Sequence, residues 1–298
     1  MLASKIALVT GASRGVGRGM AVELGRAGAT VYITALERHH EDPIVQSVAD
    51  KLPTLQDIDE VGGRAIPIYC DQGNDKQVAQ LFKRIDQEQN GQLDICISNA
   101  FPAVTAMQRV NGKPFWQLPI DVYDTLNEAA LRGHYVTCWH AAKLMTLRHT
   151  GLIMVTGSPG GLKYLFCPAY GVNKAGSDKM CSDMALDLQP YHVTCLSFWS
   201  SAVLSELYAP ECGLVTDAAV KDLYKKTGST LQYQGKCAVA LASDPEIIRQ
   251  SGDIVTDFGV GAHYGITDEG GKKIMCPITS KYVDFIAKLN EIRKSKVI

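Results

Sequence analysis

Thr10-Gly11-Ala12-Ser13-Arg14-Gly15-Val16-Gly17 is the stretch whose reading decides the fold. It follows the apolar run Ile6–Val9, which reads as a buried strand, and a helical pattern starts at Gly15 and continues to about Ala27. Glycines at such a junction let the backbone turn tightly and come close to a pyrophosphate, whose charge the helix N-terminus stabilises. A glycine triplet alone is a weak signal. The strand before it and the helix after it, inside one β-α-β unit, make it a dinucleotide loop. Gly11, Ser13, Arg14, Gly15, Val16 and Gly17 are therefore the first cofactor candidates.

Outward from the loop, Gly28 stands where a helix C-cap is expected, and Thr-Val-Tyr-Ile-Thr at 30–34 is β-branched and strand-like. The polar segment 37–59 carries a helix-period stripe at Ile44, Val48, Leu52 and Leu55. Residues 65–70 read as a strand, and 77–89 as an amphipathic helix with Val78, Leu81, Phe82 and Ile85 on one face. A strand at 93–98, a long helix at 122–147, a strand at 152–156, a helix at 169–188 and a strand at 193–198 follow. Apolar strands alternating with helices imply a doubly wound α/β fold, with a parallel sheet covered on both faces. Without repeats or linker-like tracts, residues 1–298 form one domain. The segment 200–232 departs from the rhythm just after a strand's carboxyl end, where open α/β sheets bind ligands; it reads as a substrate-covering segment or as an ordinary surface helix pair. The tail 278–298 reads as an amphipathic helix.

With 46% hydrophobic residues and a formal charge of −1, the 298-residue chain has a core but no electrostatic footprint for nucleic acid or an anionic membrane. Nine scattered cysteines without a C-x-x-C pair read as reduced and buried, and seven histidines show no ligand spacing, so no metal is expected. His134, on the long helix, reads as packed or solvated unless its face points inward. No signal-peptide pattern and no apolar run of about 18 residues occurs, which leads to the expectation of a cytoplasmic protein, peripheral membrane association staying open.

Cofactor choice is read at the end of the second strand. An NAD site places a carboxylate there for the ribose 2′-hydroxyl. This chain offers Thr34-Ala35-Leu36, with no acid before Glu37. Arg14 lies in the loop, where a guanidinium meets a 2′-phosphate, and Arg38 is a second candidate. NADP(H) is favoured over NAD(H).

Tyr170 and Lys174 lie four residues apart and so share one helix face. An ammonium beside a phenol favours the phenolate and lets the tyrosine trade a proton with a carbonyl or an alcohol. The spacing also occurs by chance on solvated helices; the glycine loop upstream weighs against chance here.

Together, the loop and the Tyr170/Lys174 pair resemble the short-chain dehydrogenase/reductase superfamily over about residues 5–260. Leu-Arg-Gly-His-Tyr (131–135) and Ser-Pro-Gly (158–160) are further similar to the subgroup of dehydrogenase/reductase family member 1. The resemblance implies a Rossmann fold and a catalytic set of Ser158, Tyr170 and Lys174. Ser158 would polarise the substrate oxygen, Tyr170 would protonate it, and Lys174 would hold the nicotinamide ribose. It also implies that Asp71 contacts the adenine, that Asn99 and Ala100 line the cofactor, and that Ser205 meets the carboxamide. Assembly as a homodimer or homotetramer follows from the same resemblance. Three positions depart from the family pattern: Ala130 replaces an asparagine credited with a proton-relay water, Phe101 replaces a glycine, and Ser200-Ser201 replace Pro-Gly. Asn127, one turn before Ala130, is a candidate substitute.

Phe101, Trp199, Leu204, Tyr208, Tyr164 and Phe166 suggest an apolar cleft, and no arginine falls where it would clamp an acidic substrate. The expected activity is NADPH-dependent reduction of a hydrophobic ketone or aldehyde, steroid-like or xenobiotic. The alternative is a catalytically weak protein of this fold that binds NADP(H) as a sensor or partner-binding subunit.

Overall fold

The computed structural model of the chain describes residues 1–36, 53–101, 107, 109, 110, 112–206, 222, 225–275 and 280–294. Its centre is one seven-stranded parallel sheet: β1 (Ile6–Val9), β2 (Thr30–Ala35), β3 (Arg64–Tyr69), β4 (Ile95–Ser98), β5 (Gly151–Gly157), β6 (Val193–Trp199) and β7 (Ile254–Thr256). Their order is β3-β2-β1-β4-β5-β6-β7. Parallel neighbours need crossover helices, and these cover both faces. In β1 the pleat sends Ala7 and Val9 into one apolar layer, shared with Met20 and Leu24 of α1 (Gly15–Arg26), and Ile6 and Leu8 into the other. Ile58, from α2 (Pro53–Glu60), joins the first layer. The second is completed by α3 (Asp75–Gln89), whose Val78, Leu81, Phe82 and Ile85 are buried as their spacing predicts.

The order reverses direction between β1 and β4, which register Ala7 on Ile95 and Val9 on Ile97. Such a switch point leaves a crevice at the carboxyl ends of the strands. The glycine loop leaves β1 and Asn99 leaves β4 at that place.

The long helix expected at 122–147 is interrupted. It runs as α4 (Asp121–Leu126), a π-helical turn (Asn127–Arg132) and α5 (Gly133–Arg148). A widened turn releases carbonyls from the regular ladder, and the Asn173 side-chain amide donates to the Leu126 carbonyl at 2.7 Å. The helix expected at 169–188 is α6 (Pro168–Leu188).

Three elements were not expected from the sequence: α7 (Leu231–Ser243), β7 and α8 (Asp257–Tyr264). A three-residue strand is too short to show a period. The tail helix is α9 (Ser280–Arg293), and it docks on the sheet edge. Asn290 there accepts from the Ile254 amide at 2.9 Å and donates to the Ile254 carbonyl at 3.1 Å, so one side chain satisfies the outward backbone groups of an edge-strand residue. Gly28, at φ +99°, sits one residue beyond the actual C-cap, Ala27. Glu37, Arg38, Ile44, Val48, Leu52, Leu207, Tyr208, Leu214, Leu223 and Tyr224 lie outside the described residues, and Leu55 belongs to α2. Among the described residues, no helix is long and apolar enough to cross a membrane, and no cluster of His, Cys, Asp and Glu could hold a metal ion.

Candidate active site

The glycine loop is fastened from three strands. Thr10 Oγ1 accepts from the amides of Asn99 at 2.9 Å and Ala100 at 3.1 Å. Asn99 Nδ2 donates to the carbonyls of Thr10 at 3.0 Å and Gly11 at 3.1 Å, joining β1 to β4. From β2, Thr34 Oγ1 accepts from the Gly11 amide at 3.1 Å. That hydroxyl also meets buried Gln72 at 3.3 Å, and Gln72 in turn accepts from Thr137 of α5 at 3.0 Å. Gln72 was not singled out from the sequence, and Thr10 and Thr34 were quoted there without these roles; lone polar residues near strand ends carry no periodic signal.

Two glycines shape the opening. A Cβ on Gly17 would lie 2.4 Å from Asn99 Nδ2, so the helix can approach the β4 end only without a side chain. Gly15 sits at φ +58°, and a Cβ there would meet nothing nearer than Ser205 Cβ at 4.0 Å. The loop is thus a backbone-lined cradle at a helix N-terminus, open toward Gly15 and faced by Ser205. That cradle fits a dinucleotide's phosphates. Gly11, Gly17, Asn99 and Ala100 are brought together at the loop, with Ser205 facing Gly15, while Val16 packs on the core and Ser13 and Arg14 belong to the same loop. Asp71 is exposed after β3, where its carboxylate accepts from the Gly73 amide at 2.9 Å and shapes the turn into α3.

The second cluster forms where β5 meets α6. Ser158 follows β5 with extended backbone, and its Oγ accepts from the Gly160 amide at 3.2 Å. Gly160 lies flat against the Tyr170 ring, a Cβ there standing 2.5 Å from Cε1, which brings the serine turn onto the tyrosine. Phe101 and Phe166 meet the Tyr170 ring edge-on at centroid distances of 5.9 Å and 5.1 Å. The Phe101 that replaces a glycine is therefore one wall of the tyrosine's surroundings.

Lys174 is buried. Its ammonium donates to the Thr156 carbonyl at 3.0 Å, lies 4.7 Å from the Phe101 ring centroid and is 5.8 Å from that of Tyr170. Burial pulls its pKa down to about 8, opposed by the negative charge of Asp178 one turn further along α6. Asp178 is buried too. Its Oδ1 accepts from Ser197 Oγ at 2.5 Å and from the Trp199 indole at 2.8 Å. Burial raises its pKa to about 6, while the two hydrogen bonds, Arg293 and Lys174 hold it down. Sequence reading missed Asp178, although its four-residue step from Lys174 was available as a signal.

His134 points inward: its Nδ1 pairs with Ser98 Oγ at 2.8 Å, and burial, then the charge of Lys174, push its pKa down to about 3. It is a neutral imidazole at physiological pH. Ala130 is buried in the π-helical turn. Asn127, considered as its substitute, turns its amide back onto the Tyr123 carbonyl at 2.9 Å. Trp199, considered a pocket residue, is packed with Ile254 and Ile286 instead. The pleat of β6 puts Ser197 and Trp199 on one face, where Asp178 receives both. Tyr164 and Leu204 are partly to largely exposed. Where Pro-Gly was replaced, Ser201 donates from its amide at 2.9 Å and its hydroxyl at 2.6 Å to Asp257 Oδ2, so the strand exit is held by side-chain bonds.

Comparison with known proteins places this geometry. The family model described as short chain dehydrogenase matches residues 5–211. Dehydrogenase/reductase SDR family member 1 of Homo sapiens is 38% identical over 275 residues, covering 91% of this chain and 85% of the relative. Its counterpart in Mus musculus is 37% identical over 276 residues with the same coverage. A short-chain type dehydrogenase/reductase structure from Mycobacterium marinum superposes with a TM-score of 0.67 at 25% identity, covering 86% of this chain and 94% of that one. With a cradle suited to a dinucleotide at one end and a serine, tyrosine and lysine gathered at the other, the chain belongs to the short-chain dehydrogenase/reductase family of oxidoreductases, which use a nicotinamide cofactor.

Proposed function

We propose that the protein reduces an apolar ketone or aldehyde to the alcohol with NADPH, using Ser158, Tyr170 and Lys174. The observation that carries this reading is the buried Lys174 ammonium, fixed on the Thr156 carbonyl beside the Tyr170 ring and opposite the serine turn. When bound, the nicotinamide supplies a hydride to the carbonyl carbon. Ser158 Oγ holds the carbonyl oxygen, and Tyr170 gives that oxygen its phenolic proton. The phenolate left behind faces a lysine that is charged below about pH 8. Phe101 and Phe166 exclude water from the tyrosine and favour an apolar substrate.

NADPH is favoured because β2 ends in Thr34-Ala35 without an acid, while Arg14 caps α1 at the loop. Asp71, in the turn after β3, contacts the adenine. A cytoplasmic single-domain oligomer completes it, with the exposed Tyr135 and Trp139 of α5 beside Met180 and Met184 of α6 as the face where copies would meet. Light scattering of wild type and Trp139→Glu checks that point: the variant is expected at lower mass.

The test of the activity is absorbance-monitored oxidation of NADPH and of NADH with a panel of apolar ketones, aldehydes and quinones. Turnover with NADPH preferred is expected. Tight NADPH binding without turnover on any member would favour the sensor reading instead.

A further inference from the structure

The N-terminus of α1 already holds an anionic side chain. Glu206 Oε2 accepts from the Gly15 amide at 2.9 Å, and Glu206 Oε1 accepts from Arg18 Nη1 at 2.9 Å. Arg18 Nε is in turn fixed on Asp57 Oδ2 of α2 at 2.6 Å. The first turn of α1 contains no acidic residue of its own. A helix N-terminus with free amides draws in negative charge, and here a carboxylate from 191 positions away supplies it. Gly15 is also the loop position where the cradle is open. The carboxylate therefore occupies a loop amide that would otherwise be offered to a phosphate.

The backbone carrying Glu206 is fixed independently of the loop. Ser201 is bonded to Asp257, the Leu204 amide donates to the Ser229 carbonyl at 2.9 Å, and the Ser229 amide donates to the Ala202 carbonyl at 2.8 Å. The Ser205 amide donates to the Val203 carbonyl at 2.9 Å. Withdrawal of the Glu206 carboxylate from Gly15 leaves these backbone bonds in place, and Arg18 keeps its partner Asp57.

We propose that Glu206 is an affinity-determining residue of the cofactor site: its carboxylate holds the anion position at Gly15, and a dinucleotide phosphate binds by exchanging with it. This rests on the reading of the glycine loop as a nicotinamide dinucleotide site. Two anions do not share one amide in a half-buried cradle, so the occupancy of Glu206 lowers the apparent affinity by the fraction of molecules in which the site is already filled. If Glu206 fills it about nine-tenths of the time, its removal tightens binding about tenfold.

The test is calorimetric titration of wild type, Glu206→Ala and Glu206→Gln with NADP+, ADP-ribose and adenosine. Glu206→Ala is expected to bind NADP+ and ADP-ribose about tenfold more tightly, and adenosine, which has no phosphate, with unchanged affinity. Glu206→Gln keeps the shape and an acceptor for the Gly15 amide but not the charge, and is expected between the two. It also reads the effect if the alanine variant does not fold. Unchanged or weaker binding of NADP+ and ADP-ribose in the variants overturns the exchange and makes Glu206 a supporting contact. An equal gain for adenosine overturns it as well. Absence of NADP+ and NAD+ binding by wild type would bring down the cofactor reading itself, a result distinct from either.

Discussion

Asp178→Asn separates the charge of the buried carboxylate from its shape. Asparagine keeps an oxygen for the Ser197 hydroxyl and the Trp199 indole, the two groups that Asp178 Oδ1 now serves. What disappears is a negative charge one helical turn from the Lys174 ammonium. At a separation of about 6 Å and an effective dielectric constant of about 20, Coulomb's law gives about 2.8 kcal/mol, or about two pKa units. Relaxation and the nearby Arg293, whose field is also felt at Asp178, make one to two units the working expectation (about 1.4–2.8 kcal/mol). The sign is definite: without the carboxylate, protonated Lys174 is less stable and loses its proton at lower pH. His134 stays neutral in this range and adds no compensating charge. In NADPH-driven reduction, the alkaline fall of kcat/KM in wild type is expected near pH 8, set by Lys174. In Asp178→Asn it moves toward acid by about one to two units. The assay is the pH profile of kcat/KM at saturating NADPH, with NADPH affinity followed separately. A profile that stays where wild type has it refutes the argument. The same variant carries a stability signature. A carboxyl whose folded pKa is raised to about 6 favours the folded state below the ordinary carboxylate range, and that contribution is lost as pH rises toward 6. Asp178→Asn should lack this slope in denaturation curves taken between pH 4 and 7.

Two other substitutions probe the cofactor end. Gly17→Ala puts a Cβ 2.4 Å from Asn99 Nδ2 and 2.7 Å from the Gly11 carbonyl, so either the Asn99 bridge or the loop must shift. An overpacking cost of about 1–3 kcal/mol in denaturant unfolding is expected, together with weakened NADPH binding. No change in either would mean that the close approach is not structural. Arg14→Ala is expected to reduce the NADPH-to-NADH preference about tenfold or more, as loss of a charged hydrogen bond of about 1.5–3 kcal/mol implies. An unchanged ratio, measured as kcat/KM for each coenzyme, would remove Arg14 from 2′-phosphate recognition.

How far the sequence could be read depended on the kind of signal. Strands β1, β4, β5 and β6 were legible because burial on both faces makes near-continuous apolar runs, β2 because it is β-branched, and α3 because its four buried residues recur at helical spacing. The loop was legible because a strand and a helix bracket its glycines. Ser158, Tyr170 and Lys174 came together through spacing within one β-α step plus resemblance. The interruption at Asn127–Arg132 was invisible, since a π-helical turn keeps helical composition and depends on a partner, Asn173, from another helix. The pairs Asp178–Trp199, His134–Ser98 and Glu206–Gly15 join residues 21, 36 and 191 positions apart, and no local pattern marks such contacts. Trp199 shows the limit most plainly: an aromatic at a strand's carboxyl end suggests a pocket, yet the pleat and a buried carboxylate turned it into the core.

Whether Tyr170 supplies the proton while Lys174 sustains its phenolate is read by single-turnover NADPH oxidation with Tyr170→Phe. The substitution removes one hydroxyl and keeps the ring that contacts Phe101, Phe166 and Gly160. NADPH affinity is expected to stay close to wild type while the chemical step slows about 10²–10⁴-fold, the range for loss of a general acid. A variant that consumes NADPH at the wild-type rate on the same carbonyl would contradict this role of Tyr170.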